Sequence, residues 1–69
     1  MSNIETPITV LRMKQLAPKL GISRSGIYEK INPDSPYYDP TFPRPFKLGK
    51  SAVGWYESEV NQWLMQRRV

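Results

Sequence analysis

The chain has 69 residues, so it buries too small a fraction of its surface to form an elaborate active-site cavity. Ten Lys and Arg residues against six Asp and Glu residues give a net charge of +4, which favours a polyanionic partner such as nucleic acid or an anionic membrane. The sequence contains neither Cys nor His, which excludes a thiol nucleophile, a histidine base and a zinc site built on these ligands.

The positive charge is concentrated in the middle of the chain. Between Arg12 and Lys50, eight bases against three acids leave a net charge of +5. No window approaches the ~20 apolar residues of a membrane-spanning helix, and residues 1–5 lack the basic and apolar regions of a signal peptide. We therefore expect a cytoplasmic protein with no membrane partner.

The first periodic segment predicts a short amphipathic helix over residues 13–20. Its apolar residues recur one helical turn apart, while the other face is polar. Pro18 lies beyond the first turn, where a proline removes one backbone hydrogen bond. We therefore expect a late start, a kink or a 3₁₀ turn in this helix. The apolar residues are Met13, Leu16, Ala17 and Leu20.

A second helix is predicted to follow after a very tight turn. Gly21 can adopt a positive φ at the end of helix one, and Ser23 can cap a helix that continues to Ile31. Its isoleucines are expected to pack against helix one, so residues 13–31 form a helix-turn-helix. The amino-terminal turn of helix two is short, polar and basic, so it can enter a groove, and the missing Cβ of Gly26 would allow close approach.

The second half of the chain predicts a connection, a hairpin and a helix. Proline-rich residues 32–45 interrupt the helical pattern, and two β-prone runs within 45–56 flank a four-residue turn. Residues 57–67 begin with acids and end with bases, as suits a helix dipole. Four large apolar side chains are expected in the core. They are Phe46, Leu48, Trp55 and Trp63.

Three separate blocks of this sequence resemble one family in order and spacing. The blocks are GISRSGIY at 21–28, FPRPFKLG at 42–49, and AVGW at 52–55 followed by SEV and WL at 58–60 and 63–64. Together they are similar to the AlpA family of prophage regulatory proteins, relatives of phage excisionases and of the DNA-binding domain of MerR-type regulators. The resemblance extends from about Leu11 to Arg67.

The resemblance implies a mainly α fold with a small β-hairpin, a winged-helix-like arrangement of three helices plus a wing, in a single DNA-binding domain over residues 1–69. It further implies sequence-specific binding of double-stranded DNA in a bacterial cytoplasm. The expected role is that of a transcriptional activator of an integrase gene or of an excisionase-type recombination directionality factor. Self-association on DNA, or association with an integrase, would accompany either role. No cofactor, metal or catalytic residue is expected.

The same resemblance supplies the candidate DNA-binding residues. Arg24 could bond a guanine edge or a phosphate, and Tyr28 could place its hydroxyl on a phosphate or its ring beneath the wing. The predicted recognition-helix residues are Ser23, Arg24, Ser25 and Tyr28; Ser23 fits a helix cap better than a DNA ligand. The predicted wing residues are Lys47, Lys50 and Ser51. Candidate backbone contacts are Lys14, Lys30 and Arg44.

The sequence also bears on two classes of function other than DNA binding. A protein-interaction adaptor is the alternative, because Pro33–Pro36 and Pro40–Pro43 both have the PxxP spacing recognised by SH3-type domains. An enzyme is not expected, because the acidic residues are scattered over helix, loop and helix with no paired spacing.

Overall fold

The computed structural model describes residues 8–67, and in this part of the chain three helices surround a small antiparallel sheet. This agrees with the expected winged-helix-like fold of three helices and a wing. The elements in chain order are β1 (Val10–Leu11), α1 (Met13–Leu20), α2 (Arg24–Ile31), β2 (Phe46–Lys47), β3 (Val53–Tyr56) and α3 (Glu57–Gln66).

The helix-turn-helix forms where it was predicted. Gly21 ends α1 with φ at 68°, and its amide donates to the carbonyl of Ala17 at 2.9 Å. Ser23 begins α2 as its cap, since its hydroxyl accepts from the amide of Gly26 at 3.1 Å. The tight turn between the two helices is therefore held by local hydrogen bonds.

Helix α1 continues through Pro18 over all eight of its residues. The expected late start and 3₁₀ turn are therefore wrong. Pro18 cannot donate to the carbonyl of Lys14, but both residues are exposed, so water can bond that carbonyl instead. The missing hydrogen bond is therefore on the solvent-exposed side of the helix, and the packed side is intact.

The sheet has one more strand than the predicted hairpin. Strands β2 and β3 pair antiparallel as the wing, with Lys47 opposite Val53, and β1 joins the other edge of β3, with Leu11 opposite Trp55. The two-residue strand β1 was not predicted, because a segment this short carries no periodic signal. It brings the start of α1 beside the wing.

The core lies between the inner face of the sheet and the three helices. Trp55 and Trp63 are buried as predicted, and the isoleucines of the helix-turn-helix pack around Leu16. Phe46 and Leu48 are not in this core, which corrects the expectation. Phe46 lies opposite Gly54, on the face away from Trp55, because successive strand residues point to opposite faces. The buried apolar residues are Leu11, Leu16, Ile27, Phe42, Trp55, Val60 and Trp63.

The proline-rich connection is folded into hydrogen-bonded turns rather than extended. Its main anchor is Asp39, whose carboxylate accepts from the amide and hydroxyl of Thr41, the indole of Trp63 and the guanidinium of Arg67. The hydrogen bond from the Thr41 hydroxyl is the main cause of a lowered pKa at Asp39, which outweighs the opposing effect of burial. The connection is thereby fixed against α3.

Candidate nucleic-acid interface

One open cleft brings together residues from three parts of the fold. It lies between the start of α1, one side of α2 and the wing, and its volume is about 380 Å³. We call it the interface cleft. It is lined by Arg12, Met13, Lys14, Gln15, Arg24, Tyr28, Ser51 and Val53. Of the predicted site residues, the structure thus places Lys14, Arg24, Tyr28 and Ser51 around one opening.

The start of α2 presents an exposed arginine. Arg24 is the first residue of α2 and is exposed, and its side chain makes no hydrogen bond or ion pair within residues 8–67. Tyr28 lies one turn later on the same side and is 49 % exposed. Its ring therefore lines the cleft below the wing while part of it remains in contact with solvent.

Ser23 and Gly26 have internal roles in this turn. The hydroxyl of Ser23 is occupied by the cap and lies 3.3 Å from that of Ser25. A Cβ on residue 26 would lie 2.8 Å from the side chain of Ile22. The absence of a side chain at Gly26 therefore makes room for the protein's own side chains in this turn. Ser25 remains exposed.

The wing carries its basic residues at its exposed end. Lys47 is exposed and lies opposite Val53 on β3, so both side chains are on the sheet face that borders the interface cleft. Lys50 and Ser51 lie in the turn that the amide of Leu48 closes by donating to the carbonyl of Ala52 at 2.8 Å. The turn therefore extends positive charge along one side of the cleft.

Two predicted backbone contacts lie outside the interface cleft. The ammonium of Lys30 is 5.8 Å from the ring centre of Trp63, within range of a cation–π interaction. The guanidinium of Arg44 donates to the hydroxyl of Tyr38 at 3.4 Å, beside the connection. The structure does not bring these two bases together with Arg24.

Arg12 was missed as a candidate by sequence reasoning. It is the residue before α1, its amide donates to the side-chain oxygen of Gln15 at 2.7 Å, and its exposed side chain lines the cleft. A basic residue directly before the first periodic apolar position was the available signal. Its significance depends on β1, because pairing of Leu11 with Trp55 holds Arg12 close to the wing.

The second of the two PxxP motifs, Pro40–Pro43, is poorly suited to bind as a PxxP ligand. Such ligands bind as exposed polyproline II helices, whereas here Phe42 and Pro43 are buried. The indole nitrogen of Trp55 donates to the carbonyl of Pro43 at 3.1 Å in the interior. Presenting the segment from Pro40 to Pro43 to an SH3-type domain would require breaking the core.

None of the helices within residues 8–67 is long and apolar enough to cross a membrane.

Comparison with known proteins identifies the family of this chain. The model of the prophage CP4-57 regulatory protein (AlpA) family matches residues 9–69. The chain is also 43 % identical over 65 residues to the DNA-binding transcriptional activator AlpA of Escherichia coli (strain K12), covering 94 % of this chain and 93 % of that protein. No solved structure matches significantly. By the extent of both matches, this chain belongs to the AlpA family of prophage regulatory proteins.

Proposed function

We propose that this protein binds double-stranded DNA sequence-specifically and activates transcription, with an integrase gene as its target in the bacterial cytoplasm. The observation that carries the proposal is the interface cleft, in which Arg24, unpaired within residues 8–67, lies beside Tyr28, Lys14 and the wing residue Ser51. The relative from Escherichia coli is named a DNA-binding transcriptional activator, which supports the same role. The protein acts by binding and carries out no catalytic step.

In this proposal α2 enters the major groove with its amino-terminal turn first. Arg24 reads a base edge, since a guanidinium can bond both acceptors of guanine. Ser25 and Tyr28 bond a base edge or phosphates beside it. Ser25 and Tyr28 thereby fix the position of the helix on the duplex, while Arg24 provides most of the sequence preference.

The bases around the cleft bind the phosphate backbone. Lys47 and Lys50 contact one strand from the wing, and Arg12 and Lys14 contact the same backbone from the start of α1. Four phosphate contacts correspond to a slope of about −4 for the logarithm of affinity against the logarithm of salt concentration. Lys30 and Arg44 contribute to the general positive field only.

The test begins with selection of preferred duplexes from a random pool, followed by titration of the selected and scrambled duplexes at several salt concentrations. We expect tighter binding of the selected duplex and a steep salt dependence for both. Amide shift changes in the protein should concentrate at Arg24, Ser25, Tyr28 and the wing turn. Shift changes confined to α3 or the outer sheet face would contradict the proposal.

Self-association on DNA is part of the same proposal, because a single module of this size makes few base contacts and gains specificity from repeated sites. Lengthening the selected duplex by one helical turn at a time should raise the number of bound copies in steps. A reporter fused to the integrase promoter, compared with an excision assay in the same cells, separates the activator role from a recombination directionality role. Adding purified integrase to the complex of this protein with its duplex tests the expected association with an integrase.

A further inference from the structure

The connection between α2 and the wing lies against a second side of α2. Arg24 and Tyr28 face the interface cleft, whereas Ser25 and Glu29 are one turn apart on the next side of the helix. That side borders an open depression, which we call the flank depression. It is lined by Ile22, Ser23, Ser25, Gly26, Glu29, Lys30 and Tyr37. Tyr37, from the connection, therefore lies beside the start of α2.

Hydrogen bonds hold this part of the connection in place. The hydroxyl of Ser35 donates to the carboxylate of Glu29 and accepts from the amide of Tyr37 at 3.0 Å. Two residues later, the amide of Asp39 donates to the carbonyl of Lys30 at 2.9 Å. The backbone on either side of Tyr37 is therefore fixed to α2, so the position of Tyr37 follows that of the helix.

The side chain of Tyr37 is exposed despite this fixed backbone. It is 71 % exposed, and its hydroxyl makes no hydrogen bond to another residue in the described range 8–67. Most of the surface of this aromatic ring is therefore not buried by folding. A tyrosine presented in this way offers an apolar ring face and a hydroxyl donor to a partner.

We propose that Tyr37 contacts the sugar–phosphate backbone of the DNA strand on the other side of the major groove from the wing. This inference rests on the proposed function. The major groove is about 12 Å wide and a helix with its side chains is about 10–12 Å across, so elements beside the helix lie next to the two bordering strands. The wing contacts one DNA strand and Tyr37 contacts the other.

The chemistry of the flank depression suits such a contact. The Tyr37 hydroxyl can donate to a phosphate oxygen while the ring packs on a deoxyribose, which is a backbone contact without sequence information. Two carboxylates belong to the same elements, that of Glu29 on α2 and that of Asp34 in the connection. The carboxylate of Glu29 accepts a hydrogen bond from the hydroxyl of Ser35. Tyr37 is neutral, so its own approach to the phosphates adds no charge repulsion.

Tyr37→Phe and Tyr37→Ala are the test variants, with Tyr56→Phe as the matched control. Tyr56 is a partly exposed tyrosine that stacks on Phe46 at 4.4 Å on the outer face of the sheet, away from α2. We expect Tyr37→Phe to bind the selected and scrambled duplexes about fivefold more weakly and Tyr37→Ala about tenfold or more. Tyr56→Phe should bind like the unmodified protein. A duplex with methylphosphonates on the strand opposite the wing should bind the unmodified protein and Tyr37→Phe equally.

The outcomes distinguish this inference from the proposed function. If Tyr37→Ala binds as tightly as the unmodified protein while Arg24→Ala loses its sequence preference, the Tyr37 contact is refuted and DNA binding stands. If the unmodified protein binds no duplex, the proposed function itself is refuted. Loss of affinity in Tyr37→Ala with a normal far-UV spectrum supports the contact, since the exposed ring is not needed for folding.

Discussion

Replacing Arg24 with alanine should remove sequence preference and leave the fold intact. The side chain is exposed and unpaired within residues 8–67, so its removal breaks no internal contact. Alanine is an equally good helix residue at this position. We therefore expect the free energy of unfolding to change by no more than about 0.5 kcal/mol, within the range of ordinary surface substitutions.

The expected loss of discrimination follows from the contact that a guanidinium can make. A bidentate contact to guanine is worth about 1 to 3 kcal/mol of discrimination against other bases. Since about 1.4 kcal/mol corresponds to tenfold in affinity, the ratio of selected to scrambled affinity should fall by about 5-fold to 150-fold. The loss of one positive charge weakens both duplexes alike, so the ratio isolates the base contact.

Fluorescence anisotropy of labelled duplexes measures both affinities under the same conditions. Lys50→Ala is the matched control, because Lys50 is also an exposed base but lies in the wing turn rather than on α2. It should weaken both duplexes equally and reduce the salt slope by about 0.9. Urea unfolding of both variants verifies that each remains as stable as the original protein.

Two results would refute this reasoning. If Arg24→Ala keeps the original affinity ratio, Arg24 contacts phosphate or nothing, and base reading belongs to another residue. If Lys50→Ala lowers the ratio of selected to scrambled affinity by the same factor as Arg24→Ala, the division between a base-reading helix and a backbone-binding wing is wrong. Either result would leave the fold unaffected and would change the assignment of roles.

Three further predictions concern stability and are measured by urea unfolding. Ser23→Ala removes the helix cap and should cost about 1 kcal/mol, whereas an unchanged midpoint would show that the cap is dispensable. Trp55→Phe leaves the buried carbonyl of Pro43 without its donor and should cost about 1 to 3 kcal/mol; equal stability would mean that the carbonyl is satisfied otherwise. The pKa of Asp39 is lowered, chiefly by the Thr41 hydroxyl, so its carboxylate stabilises the fold above the ordinary value of 3.8, and that stability is lost as the pH falls through the lowered pKa. Asp39→Asn should therefore reduce stability at neutral pH and show a smaller further loss in acid, and an identical acid profile would contradict this role.

The helix-turn-helix was predictable because its signals are local. The apolar spacing of α1, the positive φ of Gly21 and the cap at Ser23 each involve residues within one or two turns of one another. The same applies to the wing, whose two β-prone runs flank a short turn. The expectation for Pro18 was wrong because the carbonyl left without a donor belongs to Lys14 on the polar side of the helix, where water can bond it.

Periodicity, capping and charge are properties of neighbouring residues, so the helices, the hairpin and the basic character of the surface follow from the amino-acid sequence. Which of those residues meet depends on tertiary packing. Strand β1 holds Arg12 beside the wing, and the folded connection holds Tyr37 beside α2. Strand alternation likewise placed Phe46 on the outer face, because pairing register is set between segments distant in the chain.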